Sequence, residues 1–99
     1  MSLLDKEFTE KVKKLVAKDM SFFREIAEER VRNDEEWTVH TWPKWCTLLG
    51  INYGDICKEV EGAVKGHDKM WLKKNIVKTA AMCLRMLEQL RDEENKNVS

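Results

Sequence analysis

The sequence predicts an all-α fold, a small bundle of three to four helices completed by dimerisation. Three observations carry this. Only one proline and four glycines interrupt the 99 residues. Apolar residues recur at three- and four-residue steps almost throughout, the period of a helix face. The last long segment is apolar around so much of its circumference that it needs cover on more than one side.

The first segment carries Phe8, Val12, Leu15, Val16, Met20, Phe22, Phe23 and Ile26 at helical spacing. One long helix, or two with a bend near residues 19–21, satisfies this pattern. A charged run over residues 25–36 continues it on a more polar face. The β-branched and aromatic string Thr38-Val39-His40-Thr41-Trp42 then precedes Pro43. A residue before proline resists the α region, whereas proline suits the first helical turn. A loop ending at Thr41 or Trp42 and a second helix over residues 43–64 follow. That helix has the stripe Trp45, Leu48, Leu49, Tyr53, Ile56, Val60 and Val64.

Gly50 and Gly54 lie one turn apart inside it. Each costs about 1 kcal/mol relative to alanine, which predicts a neighbouring backbone at close approach. Gly66-His67-Asp68 marks the next turn, and a third helix spans residues 69–92. Leu72, Ile76, Ala80, Cys83, Leu87 and Leu90 form one face of it, and Trp71, Val77, Met82, Leu84 and Met86 extend the apolar surface around it. In so short a chain the second cover is expected from another subunit, hence a homodimer, with a large monomer core as the alternative. Residues 1–93 make one domain and residues 94–99 a polar C-terminal tail.

Composition excludes several classes of function. Eighteen basic and eighteen acidic side chains cancel, so no global field attracts nucleic acid or anionic lipid, and no extended nucleic-acid surface is expected. No apolar run approaches the ~20 residues that span a bilayer. The start, Met1-Ser2-Leu3-Leu4-Asp5-Lys6-Glu7, lacks the basic region and continuous apolar core of a secretion signal, which predicts a cytoplasmic location. Cys46, Cys57 and Cys83 are odd in number and form no C-x-x-C pair. They are expected to be reduced and buried as small hydrophobes. His40 and His67 have no partner at ligand spacing, so no zinc site is expected.

Three strings in order resemble the MazG-like family of all-α nucleotide pyrophosphohydrolases, in its phage and prophage form. The first, Glu28-Glu29-Arg30-Val31-Arg32-Asn33-Asp34-Glu35-Glu36-Trp37, is similar to E-R-x-R-Q-D-x-K-W. The second, His40-Thr41-Trp42-Pro43-Lys44-Trp45-Cys46-Thr47-Leu48-Leu49-Gly50, is similar to H-x-x-x-K-W-x-x-I-L-G. The third, Asn75-Ile76-Val77-Lys78-Thr79-Ala80-Ala81-Met82-Cys83-Leu84-Arg85-Met86-Leu87-Glu88, resembles E-L-[IV]-[QD]-V-A-A-V-A-[LV]-x-W-[LIV]-E. The resemblance implies a helical bundle, assembly as dimers or tetramers, and magnesium-dependent hydrolysis of nucleoside triphosphates to monophosphate and pyrophosphate.

The metal-binding acids that the resemblance implies fall at Ile51, Asn52 and Asp55, then at Asn75 and Lys78. Asp55 alone is acidic. Asn52 and Asn75 offer neutral carbonyl oxygens, Ile51 offers none, and Lys78 brings a positive charge. At ~5 Å and an effective dielectric of ~20, one unit charge acts on another by about 3 kcal/mol, and a divalent ion doubles that. Lys78 near the metal position therefore opposes magnesium. A displaced metal site would draw on Asp55, Glu59 and Glu28.

Lys74, Lys78 and Arg85 share one side of the third helix, where they could receive a phosphate or an acidic protein surface, with Trp71 as an anchor for a partner. The expected function is that of a catalytically degenerate MazG-like protein without a cofactor. It would bind a protein partner, in a phage-type version an inhibitor of a host or defence enzyme, or a nucleotide. The alternatives are a magnesium-dependent pyrophosphohydrolase with the displaced site, and a purely structural helical oligomer.

Overall fold

The computed structural model describes residues 3–34 and 36–98, with side chains described from Asp5 to Lys96. These residues form three helices, α1 (Leu3–Arg32), α2 (Trp42–Val64) and α3 (Met70–Val98), and no strand among them. The fold is the all-α bundle expected from the apolar period.

Local chemistry sets the helix ends. α1 runs through residues 19–21 unbroken, because neither glycine nor proline interrupts it. Thr41, with extended backbone, caps α2 by accepting the Lys44 N–H on its hydroxyl at 3.4 Å, and Pro43 occupies the first turn. Gly66 has φ 89°, the left-handed conformation that glycine tolerates. It donates to the Ala63 carbonyl at 3.1 Å while His67 donates to the Gly62 carbonyl at 2.9 Å. This paired arrangement closes the free carbonyls at the end of α2. The Asp68 carboxylate accepts the Met70 N–H at 3.0 Å and opens α3. α3 does not stop at residue 92. The expected polar tail at residues 94–99 is helical as far as Val98, since Glu93, Glu94 and Lys96 are good helix formers and no breaker intervenes. Ser99 lies outside the described residues.

α3 is the central element. It packs on α1 and on α2, while α1 and α2 do not pack on one another. α2 is antiparallel to α3, with the Trp45 indole donating to Gln89 at 2.9 Å and the Asn52 amide meeting the Met82 sulfur at 3.7 Å. α1 runs in the sense of α3, joined by Lys73–Glu25 at 2.8 Å and Arg30–Glu88 at 2.6 Å. Ion pairs this exposed contribute about 0–1 kcal/mol each. Burial must supply the rest.

That burial is small. Among the described residues the fully buried apolar core is Trp37, Trp45, Ala81 and Met82, with Ile26, Leu48, Leu49 and Met86 packed against it. The chain is also extended, with a radius of gyration of 17.1 Å where a compact domain of this length has about 13 Å. Residues 3–20 of α1 project past the start of α3. From Asp5 to Met20 every side chain but Asp19 is exposed.

Two expectations are corrected. Gly50 and Gly54 have nothing within 4 Å of where a Cβ would stand, because they lie on the side of α2 turned away from Trp45 and Asn52. No close helix approach explains them. Cys46 and Cys83 are exposed and Cys57 is half-buried, because α3 meets its neighbours through its Met82 and Ala81 sides rather than through the stripe that holds Cys83. No helix of the described residues is long and apolar enough to cross a membrane.

Candidate functional site

The antiparallel packing of α2 on α3 brings together the two walls on which the resemblance places a metal. The register set by Trp45 with Gln89 and Asn52 with Met82 puts Asp55 level with Lys78 and Thr79, and Glu59 level with Asn75. On those walls Asp55 and Glu59 are half-buried carboxylates, and Ile51 points to solvent at 56% exposure. Asn52 is buried and its amide is turned onto Met82. The Asn75 carbonyl accepts the Thr79 hydroxyl at 2.8 Å, a local helix bond. Glu28 is not brought to Asp55 and Glu59, because it belongs to α1, which does not reach α2. Among the described residues no three His, Cys, Asp or Glu side chains converge as metal ligands.

The residues present do not fit a magnesium site. That ion demands octahedral oxygen coordination. The wall on α2 offers Asp55 and Glu59, and the wall on α3 offers an amide and an ammonium. Lys78 is half-buried and interacts favourably with Glu29 of α1. Burial raises the Glu29 pKa, but hydrogen bonds from Arg32 and Asn33 and the charges of Arg32 and Lys78 outweigh it. The net result holds the carboxyl below its ordinary value. The positive charge of Lys78 on α3 thus adds to the stabilisation of the Glu29 carboxylate on α1.

The expected basic face disperses for the same reason. The Arg85 guanidinium donates through Nε to the Trp37 carbonyl at 3.0 Å and lies 4.0 Å from Glu88, pinning the loop before α2. Lys74 stacks over the Trp71 ring at 4.6 Å, and both are exposed. A cleft of about 260 Å³ between α1 and α3 is lined by Glu25, Glu28, Glu29, Arg32, Lys73 and Lys74. Its charges balance, and Lys73 is already paired with Glu25. An incoming phosphate would face three carboxylates there, so the cleft has no preference for anions.

Gln89 is the residue whose importance the sequence reading missed. It is 3% exposed. Its carbonyl oxygen accepts the Trp45 indole N–H at 2.9 Å and the His40 N–H at 3.3 Å, and its amide donates to the His40 carbonyl at 2.7 Å and to Glu93 at 3.1 Å. The available signal was its place on the Met82–Met86 stripe, one turn on, where a polar residue in a core line needs partners.

Asn52 separates a metal wall from a core wall experimentally. Asn52→Asp, which creates an acid at an implied ligand position, is expected to destabilise the protein by about 1–3 kcal/mol at pH 7. Burial would raise the new carboxyl's folded pKa, so the deficit appears as pH rises above about 4 and shrinks below it. Urea unfolding at pH 4 and pH 7 measures this. A stabilised variant, further stabilised by magnesium, would mark a metal wall. No family model matches the chain, and no curated protein or solved structure is found similar to it.

Proposed function

We propose that the protein is a non-hydrolytic helical interaction module, MazG-like in ancestry, that acts by binding protein surfaces, including a second copy of itself. One observation carries this reading: apolar side chains are exposed on all three helices around a core of four residues. Scattered apolar residues are ordinary on a surface, but contiguous apolar helix faces mark protein interaction sites. Phe8, Leu15 and Phe22 of α1 are 70%, 58% and 54% exposed, and Leu87 of α3 is 60% exposed. The donor set at Asn52, Asp55, Asn75 and Lys78 supports the absence of pyrophosphohydrolysis. The balanced charges around Lys73 and Lys74 favour a protein over a nucleotide as ligand.

Pyrophosphate release from the common nucleoside triphosphates, measured with and without magnesium, is the direct test. No magnesium-dependent turnover above buffer is expected, and no nucleotide is expected to raise the melting temperature by more than about 1 °C. Turnover that falls in Asp55→Asn would establish the pyrophosphohydrolase instead. A metal-free nucleotide stabilisation lost in Lys78→Glu would establish nucleotide capture.

A further inference from the structure

We infer that two copies of this chain exchange α1 arms, each laying the free half of its α1 along the unpartnered apolar face of the other's α3. The inference rests on the interaction reading above and names the surface and its first occupant.

The first argument is area. A compact 11.7 kDa monomer exposes about 5,900 Å², whereas this chain exposes 8092 Å². The excess of about 2,200 Å² per chain lies in the range that each partner buries in an obligate dimer, and well above the ~800 Å² of an ordinary complex. No small patch accounts for it.

The second argument is that one chain carries two matching unfilled elements. Phe8, Val12, Leu15 and Phe22 of α1 follow the same helical line as Ile26, and Ile26 packs on the core at α3. The line is covered at its last turns and uncovered for about four turns before them. From residue 3 to residue 20 the arm is about 27 Å long, and a free helix of that length is marginal in water. On α3, Ile76, Cys83, Leu87 and Leu90 form an exposed stripe, which begins beside the half-buried Leu72 at the end that Phe22 of α1 reaches. From Leu72 to Leu90 it too is about 27 Å long.

The two elements meet at an apolar groove of about 300 Å³ where Phe22 lies against Leu72, Ile76 and Val77. From that junction α1 leaves in the direction opposite to α3. A two-fold axis beside the junction therefore sets each arm antiparallel to the partner's α3, so that one operation covers both stripes on both chains. A different protein would need separate elements to do the same. Symmetric, self-complementary contacts of this kind close a dimer without leaving an open end.

Sedimentation velocity should show a dimer at 10 µM. Val12→Asp with Leu15→Asp on the arm, and separately Leu87→Asp on α3, should each weaken dimerisation at least a hundredfold. All three positions are exposed in the single chain, and retained burial of Trp37 and Trp45 by fluorescence would show that the monomers stay folded. Crosslinking gives a second measurement that needs no disruption. One chain carries cysteine at position 8, 12 or 15 and none elsewhere, and the other carries Cys83 alone. The mixture should form an arm-to-α3 disulfide at one or more of the three positions. A monomeric wild type, a dimer indifferent to both sets of aspartates, or crosslinks only between two arms would overturn the arrangement. None of these results would restore pyrophosphohydrolysis, which the release assay reads independently.

Discussion

Trp45→Ala is expected to remove cooperative folding at physiological temperature. Trp45 is fully buried, it is one of two tryptophans in a four-residue core, and it holds α2 to α3 through the Gln89 hydrogen bond. Truncating a buried tryptophan costs about 3–5 kcal/mol, and small domains have only about 5–10 kcal/mol in total. Denaturant unfolding followed by far-UV circular dichroism measures the loss. Trp71→Ala, at an exposed position on α3, serves as the control and should change stability by less than about 1 kcal/mol. Equal losses in the two variants would place the centre of the fold somewhere other than the α2–α3 seam.

Gln89→Met has the second-largest expected effect, about 2–4 kcal/mol, because it keeps the volume and removes the partners. It strands the buried Trp45 indole N–H and takes away the amide that holds the His40 carbonyl. Hydrogen exchange should rise over residues 36–41, the loop that Gln89 and Arg85 fasten to α3. Adding Trp45→Phe should recover part of the loss, since the stranded donor is then gone, and a double-mutant cycle reads that coupling. Simple additivity of the two changes would mean that the hydrogen bond between them carries nothing.

Much of the fold was legible because helix ends are local events. Pro43 after a β-branched run, and Gly66 followed by Asp68, punctuate the chain by backbone chemistry that needs no knowledge of the rest of the molecule. The end of α3 was not legible, because a polar composition alone does not end a helix and Glu93, Glu94 and Lys96 are compatible with one. Gly50 and Gly54 misled for the opposite reason. A glycine in a helix signals that something is tolerated there, and nothing in its neighbours says whether that is a close contact or open solvent.

The candidate site was legible only as an alignment of positions. The resemblance, and not the helical period, singled out Asn52, Asp55, Asn75 and Lys78, and the antiparallel register sets the α2 pair level with the α3 pair. Where each side chain is directed depended on the third helix. Arg85 read as part of a free basic face, yet the Trp37 carbonyl engages it. Glu28 read as a spare ligand, yet α1 carries it away from α2.

By itself, then, the sequence determined three helices, their turns and the Trp45 core position, because each rests on residue chemistry and a 3.6-residue period. Only the tertiary structure decided that α3 is the central helix, that Gln89 and Arg85 fasten the loop, and that α1 overhangs as an arm. Periodicity states that a helix face is to be covered. Which surface covers it depends on where the chain's turns send each helix, and for the arm of α1 they send it past the end of its own bundle.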